Sequence, residues 1–235
     1  MKYKEKEKLE IIKNKISKIS QPNILELGVQ KGNSTRMFLE VCEDNNGFLT
    51  SVDIEDCSDV SDNKKWKFIH SSDDNFDYIN KLINKELDII FIDSLHEPNH
   101  VKKVFYNYFN FLKINGMVII DDVSWLPYVK KGIKDNNFVE RVNRLTFEKI
   151  LEIFNSNQDK LSLEINFSGS GLAIFSKLGG PLVKENKIET FIFCYQIKRK
   201  LEMEESVSSF KISFNKQHII SENEPIRVSS KIVIP

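Results

Sequence analysis

Neither sign of charge prevails in this sequence. Lys plus Arg and Asp plus Glu each total 34 of 235 residues, so the formal net charge is zero. A general nucleic-acid binder carries a basic footprint; without one, no nucleic-acid partner is expected, and only a local patch stays open. Cysteine is scarce. Cys42, Cys57 and Cys194 are odd in number, widely spaced and without a C-x-x-C pair. That pattern argues against a zinc ribbon or a disulfide framework and fits a reducing, cytoplasmic setting. Long apolar runs are missing as well. Residues 1–18 alternate Lys and Glu with isoleucines, lacking the apolar core of a signal peptide. No stretch reaches transmembrane length, so no membrane partner is expected. Internal repeats and low-complexity segments are absent too.

What is present is an alternation of strand and helix signals, at a length that suits one α/β domain with an appendage. Residues 5–19 read as an amphipathic helix carrying Leu9, Ile12, Ile16 and Ile19, a lid on the sheet edge, stopped by Pro22. The short apolar run 24–27 suits a buried parallel strand. Gly28, Gly32 and Ser34 follow it, a tight turn leading into a capped helix start. Further strands are expected at 48–52, 66–69, 87–93 and 117–120. Helices are expected at 75–84, from Pro98 to 112 with Asn115-Gly116 as its C-terminal cap, from 129, and from about 137 to 154. Alternating stretches at 161–167 and 171–175 read as a hairpin. Beyond Gly179-Gly180-Pro181 the pattern changes. Strands are expected at 190–197, 210–214, 218–221 and 226–234, the first of which could equally be helix. This gives three parts: an N-terminal helix at 1–20, the main domain at 21–178, and a β-rich extension at 179–235 suited to self-association.

The glycine turn departs from a dinucleotide fingerprint. Gln30 and Asn33 stand where G-x-G-x-x-G has its second and third glycines, and an acid, Glu26, lies inside the strand end. A carboxylate there repels a pyrophosphate but can receive an ammonium group. The resulting E-x-G-x-x-x-G resembles motif I of the class I S-adenosylmethionine-dependent methyltransferases. The resemblance covers residues 20–177 and implies a Rossmann-like sandwich: a mainly parallel seven-stranded sheet with an antiparallel edge hairpin. It also implies that Glu26, Gly28, Gly32 and Ser34 line the methionine end of the cofactor. Asp53 closes the second strand, where such folds bind ribose hydroxyls. Its rival reading is a solvated loop acid, since Glu55, Asp56 and Asp59 crowd the same loop. Asp73, after the third strand, is the expected contact to the adenine amine.

In open α/β sheets ligands sit at the carboxyl ends of the strands. In this fold strands one, four and five are neighbours, so Glu26, Asp93, Asp121 and Asp122 converge there. Carboxylates brought together repel unless a positive charge sits between them. A hard divalent cation, Mg2+, is the natural candidate and would hold the substrate hydroxyls. Asp93-x-x-His96 followed by Asp121-Asp122 resembles the motif pair of the metal-dependent O-methyltransferases that modify sugars on macrolides, although that family begins its acid pair with Glu. The resemblance implies Asp93, Asp121 and Asp122 as metal ligands and His96, with Asp93, as the catalytic pair. The expected reaction is O-methylation of a small-molecule acceptor, a sugar or sugar-bearing metabolite. Alternatives remain. Asp93 and His96 could cap the helix at Pro98. The enzyme could be a metal-free N- or O-methyltransferase, or the protein a silent S-adenosylmethionine-binding scaffold. His70, His100 and His218 read as bystanders. Trp125 and Tyr128 could serve substrate selectivity or packing.

Overall fold

The structure, a computed structural model, describes residues 2–83, 85–129, 137–184, 209–213 and 231–233. The parallel part of the sheet comprises β1 (Asn23–Leu27), β2 (Phe48–Asp53), β3 (Trp66–His70), β4 (Leu87–Ile92) and β5 (Leu112–Asp121), with near-continuous apolar runs in β4 and in the second half of β5. β6 (Leu161–Asn166) and β7 (Leu172–Lys177) are antiparallel and join the sheet through β7, which pairs with β5. The strand order is β3-β2-β1-β4-β5-β7-β6-β8-β9. The first seven strands form the expected mixed sheet of a Rossmann-like methyltransferase fold. β8 (Ser209–Ser213) and β9 (Lys231–Val233) extend it antiparallel, β8 pairing with β6.

Strand alternation sorts side chains between two helical layers. Leu25, Leu27, Ile90, Ile92, Val118 and Ile120 join the helices α4 (Pro98–Tyr108) and α6 (Asn137–Asn155) in one apolar cluster. Ile24, Ile89, Phe91 and Ile119 join the helices α1 (Lys2–Ile16) and α2 (Asn33–Asp44) in the other. Helix α1 lies over this face rather than at the sheet edge. Ile12 and Ile16 are buried in the cluster, and Lys13 and Lys15 bond Glu40 on α2 and Glu164 on β6. Among the described residues no helix is long and apolar enough to cross a membrane.

Several boundaries differ from the sequence reading. The fourth helix stops at Tyr108, a 3-10 turn spans Phe109–Phe111, and Leu112 already belongs to β5. Asn115-Gly116 therefore caps no helix. It lies within β5, where pairing jumps from Leu87–Leu112 to Ile89–Met117, and Asn115 takes a left-handed φ of 66°. The helix α3 (Phe76–Leu82) matches expectation, whereas α5 (Leu126–Val129) falls where a loop was expected and ends where a helix was expected to begin. The strands expected at 190–197 and 218–221 lie outside the described residues, as does most of 226–234.

The ends of β1 and β4 approach so closely that only glycine fits between them. A Cβ on Gly28 would fall 2.1 Å from the Asp93 carbonyl oxygen, and its φ is +98°. Steric overlap and backbone strain then add. Gly28→Ala is expected to destabilise the fold by about 3 kcal/mol, read as the urea midpoint. An unchanged midpoint would mean that the strand ends can separate freely.

Candidate active site

Four loops at the carboxyl ends of β1, β2, β4 and β5 meet on one side of the sheet. The first is the turn 28–32. Gly32 is the N-cap of α2 at φ 71°, and Gln30, in a glycine's place, still adopts φ 49°. The left-handed geometry of the turn is thus kept without the glycine. Asp53, at the end of β2, clamps this turn. Its Oδ2 accepts from the backbone N–H of Val29 (2.7 Å) and Gln30 (3.0 Å), and its Oδ1 accepts from Glu55 N–H (2.9 Å). Desolvation works against the Asp53 charge, but these N–H donors outweigh it and hold the pKa below the usual value.

Glu26 shares the α1/α2 face of the sheet with Ile24, as the period of two requires. There it is fully buried and accepts from three hydroxyls: Ser34 (2.6 Å), Thr35 (2.8 Å) and Ser51 (2.6 Å). The expected open carboxylate for an ammonium group is therefore engaged in tying α2 to β1 and β2. Ser34 does not precede the helix. It lies in the first turn of α2, which begins at Asn33, and its hydroxyl is held by Glu26.

Asp73 is likewise occupied. Its carboxylate accepts from Ser94 Oγ at 2.5 Å and lies 2.9 Å from His100 Nε2, and its carbonyl accepts from the Tyr108 hydroxyl. His100, read as a bystander, thus anchors the loop after β3 to α4; the Asp73 hydrogen bond raises its pKa despite burial. Spacing along the chain gives no sign of this pair, because 27 residues separate them.

Asp93, Asp121 and Asp122 do come together. β5 alternation points Asp121 toward α1, and Asp122 follows with a left-handed φ of 57° and its N–H on Asp121 Oδ1. His96 Nε2 lies 3.5 Å from Asp93 Oδ1 and 3.6 Å from Asp122 Oδ2, so the imidazole sits between two carboxylates without being bound to either. Neither Asp93 nor His96 caps α4. Glu97 does so, accepting His100 N–H at 2.7 Å. The loop is pinned from behind by Thr146 Oγ1, which donates to the His96 carbonyl. Partial desolvation, then the charges of Asp121 and Asp122, push the Asp93 carboxyl well up. Trp125 is fully buried against Phe147 and Phe167, which settles it as packing, whereas the phenol of half-buried Tyr128 is raised by burial and then by the charge of Asp122.

A divalent cation does not fit among these acids as they stand. Lys8 reaches down from α1 and places its ammonium 2.5 and 2.7 Å from the two Asp121 oxygens, 2.6 Å from Ser170 Oγ and 3.5 Å from Asp122 Oδ1. Magnesium would need carboxylate oxygens at about 2.1 Å, inside the space the ammonium fills. Among the described residues no group of three acidic, His or Cys side chains is arranged to hold a metal. The acids of the expected magnesium site, Asp93, Asp121 and Asp122, are brought together, and among the described residues the positive charge beside Asp121 and Asp122 is the Lys8 ammonium.

Residues 25–123 match a family model described as a methyltransferase domain. Over these residues, fewer than half of the chain, the sequence is similar to a methyltransferase domain. Solved structures of this fold agree. A Staphylococcus aureus protein provisionally named a caffeoyl-CoA O-methyltransferase is 23% identical, with a TM-score of 0.57 over 72% of this chain and 82% of that one. MycE, a methyltransferase of the mycinamycin biosynthetic pathway in complex with Mg and SAH, is 23% identical with a TM-score of 0.50. The match to MycE covers 68% of this chain but only 47% of that one. The O-methyltransferase TomG from Streptomyces achromogenes, involved in tomaymycin synthesis and in complex with SAM, is 14% identical with a TM-score of 0.55, covering 73% of this chain and 80% of that one. No curated protein matches the sequence. For this methyltransferase, the expectations of fold and of an S-adenosylmethionine-dependent enzyme are borne out.

Burial moves the Glu26 carboxyl from an ordinary 4.5 to about 7, against the pull of its three hydroxyl partners. Its folded pKa lies above its unfolded one, so its contribution is complete below about 4.5 and is lost as pH rises through 7. Between those limits the methyltransferase is expected to lose roughly 3 kcal/mol of stability that Glu26→Gln does not lose. Denaturant titrations of both proteins from pH 4.5 to 8 check this; parallel profiles would mean that Glu26 is ionised throughout.

Proposed function

We propose that the protein transfers the methyl group of S-adenosylmethionine to a hydroxyl of a small molecule, with a sugar or sugar-bearing metabolite as the acceptor class. The observation that carries this reading is His96, held beside Asp93 and Asp122 at the carboxyl ends of β4 and β5. Among the described residues there, its imidazole is a base bound to no partner acid at hydrogen-bond distance.

The cofactor residues fit a nucleoside bearing an amino acid. The 28–32 turn carries no side chain at Gly28 or Gly32, and the Asp53 carboxylate, held charged by backbone amides, would accept ribose hydroxyls. Gly28, Gly32 and Asp93 would border the methionine end. Glu26 and Ser34 would act from behind by holding the turn, and Asp73 by holding the loop beside the base. When bound, S-adenosylmethionine supplies a methyl group activated by its sulfonium. The chain's own task is to hold the acceptor oxygen in line and to remove its proton. His96 would accept that proton. Asp93 and Asp122, flanking the ring, would stabilise the imidazolium that results. The sugar acceptor is supported by the Asp93-x-x-His96 and Asp121-Asp122 motif pair, which resembles that of the macrolide-sugar O-methyltransferases.

Calorimetric titration with S-adenosylhomocysteine is expected to give saturable one-site binding; a folded protein that does not bind it would overturn the reading. With an acceptor found by screening sugar-bearing metabolites, His96→Ala is expected to lower kcat by on the order of 100- to 10,000-fold. Its affinity for S-adenosylhomocysteine should stay unchanged. Turnover within a few-fold of the parent would remove His96 as the base.

A further inference from the structure

We propose that Lys8 is the resident cation of this site: its ammonium supplies, from the chain itself, the positive charge for which the fold's metal-dependent relatives recruit a divalent ion. Three carboxylates from two strand ends cannot share a crevice without a counter-charge. Lys8 provides it at bonding distance. One N–H meets Ser170 Oγ at 2.6 Å, the ammonium straddles both oxygens of Asp121, and Asp122 lies 3.5 Å away. The Lys8 side chain is only 8% exposed. Burial opposes its charge, but Asp121, Asp122 and Asp93 together outweigh that and hold the ammonium charged.

The placement is structural rather than incidental. Lys8 lies on a helix whose next turns are fixed in the core by Ile12 and Ile16, and whose outer residues Lys13 and Lys15 are tied to α2 and β6. Ser170, its third partner, stands in the β6–β7 turn. There Gly171, at φ 83°, packs so close to Ser124 that a Cβ would meet the Ser124 Cβ at 2.6 Å. The socket is thus made by three separate segments, α1, the end of β5 and the β6–β7 turn. An ammonium carries one charge and no open coordination positions. It can neutralise the acids, but it cannot grip two acceptor hydroxyls or acidify one as a metal does. Proton removal then falls to His96, and the acids keep their places without a metal.

The proposal rests on the methyl-transfer reading of the crevice, yet its test is read without turnover, so the two can fail separately. Mn2+ is the probe, followed by electron paramagnetic resonance on the full chain. Samples would be the parent protein, Lys8→Ala, Lys8→Met, Asp122→Asn and the double variant Lys8→Ala/Asp122→Asn, each checked for folding by circular dichroism. The parent is expected to show no saturable Mn2+ binding at the acids. Lys8→Ala should gain one site, at least ~10-fold tighter than anything in the parent, and Asp122→Asn should remove it again. Lys8→Met keeps the aliphatic stem against α1 and covers the case in which Lys8→Ala does not fold. Two results would overturn the proposal: Mn2+ binding in the parent that Asp122→Asn abolishes, or a folded Lys8 variant that gains no site.

Discussion

The close approach of Gly28 to the Asp93 carbonyl governs what the rest of the molecule can be. It sets the carboxyl end of β1 against that of β4 with no room for a side chain. β1 is also where the strand order turns, since β2 and β3 continue on one side and β4 and β5 on the other. Fixing those two ends in van der Waals contact fixes the crevice between the loops that follow them. The 28–32 turn, Asp53 clamped onto it, and the Asp93–His96 loop all inherit their positions from that contact. Glu26 acts at the same place from beneath, joining β1, β2 and α2 through three hydroxyls. The upper surface of the crevice is thereby left to groups that are not already spoken for.

Much of this was legible in the residue order. Apolar runs of strand length, separated by helical periodicity, identified the parallel sheet, and two strands without a helix between them identified the closing hairpin. The convergence of Asp93, Asp121 and Asp122 followed from the strand adjacency that the family resemblance implies. What escaped was anything that depends on direction rather than position. Glu26 is at a strand end, but the period of two turns it under α2 instead of into the crevice. Asn115-Gly116 has the composition of a helix cap and serves as an irregularity within β5, because the helix before it ends early. His100 and Asp73 are too far apart in the chain for any spacing rule to join them. Lys8 was hidden for a different reason. On an amphipathic helix rich in Lys and Glu, one buried lysine is indistinguishable from its solvated neighbours until the helix is laid on a face of the sheet.

That placement of α1 also explains why the acids can be retained. Removing a lysine or a carboxylate from water is costly, and the attraction between them offsets that cost only when the geometry is good and other polar partners complete the shell. Ser170 and the Asp122 N–H do so here. The charge cluster and the helix therefore support each other, and the first helix is part of the site rather than a cover beside it.

β8 pairs along β6 from Leu163 to Asn166, so the hairpin strand that would end a seven-stranded sheet does not face solvent with bare N–H and C=O groups. An unprotected strand edge is a template on which other chains can assemble. A chain cut back to the seven-stranded core would keep its crevice intact and acquire an adhesive flank, and colloidal behaviour, rather than chemistry, would be the first property to change.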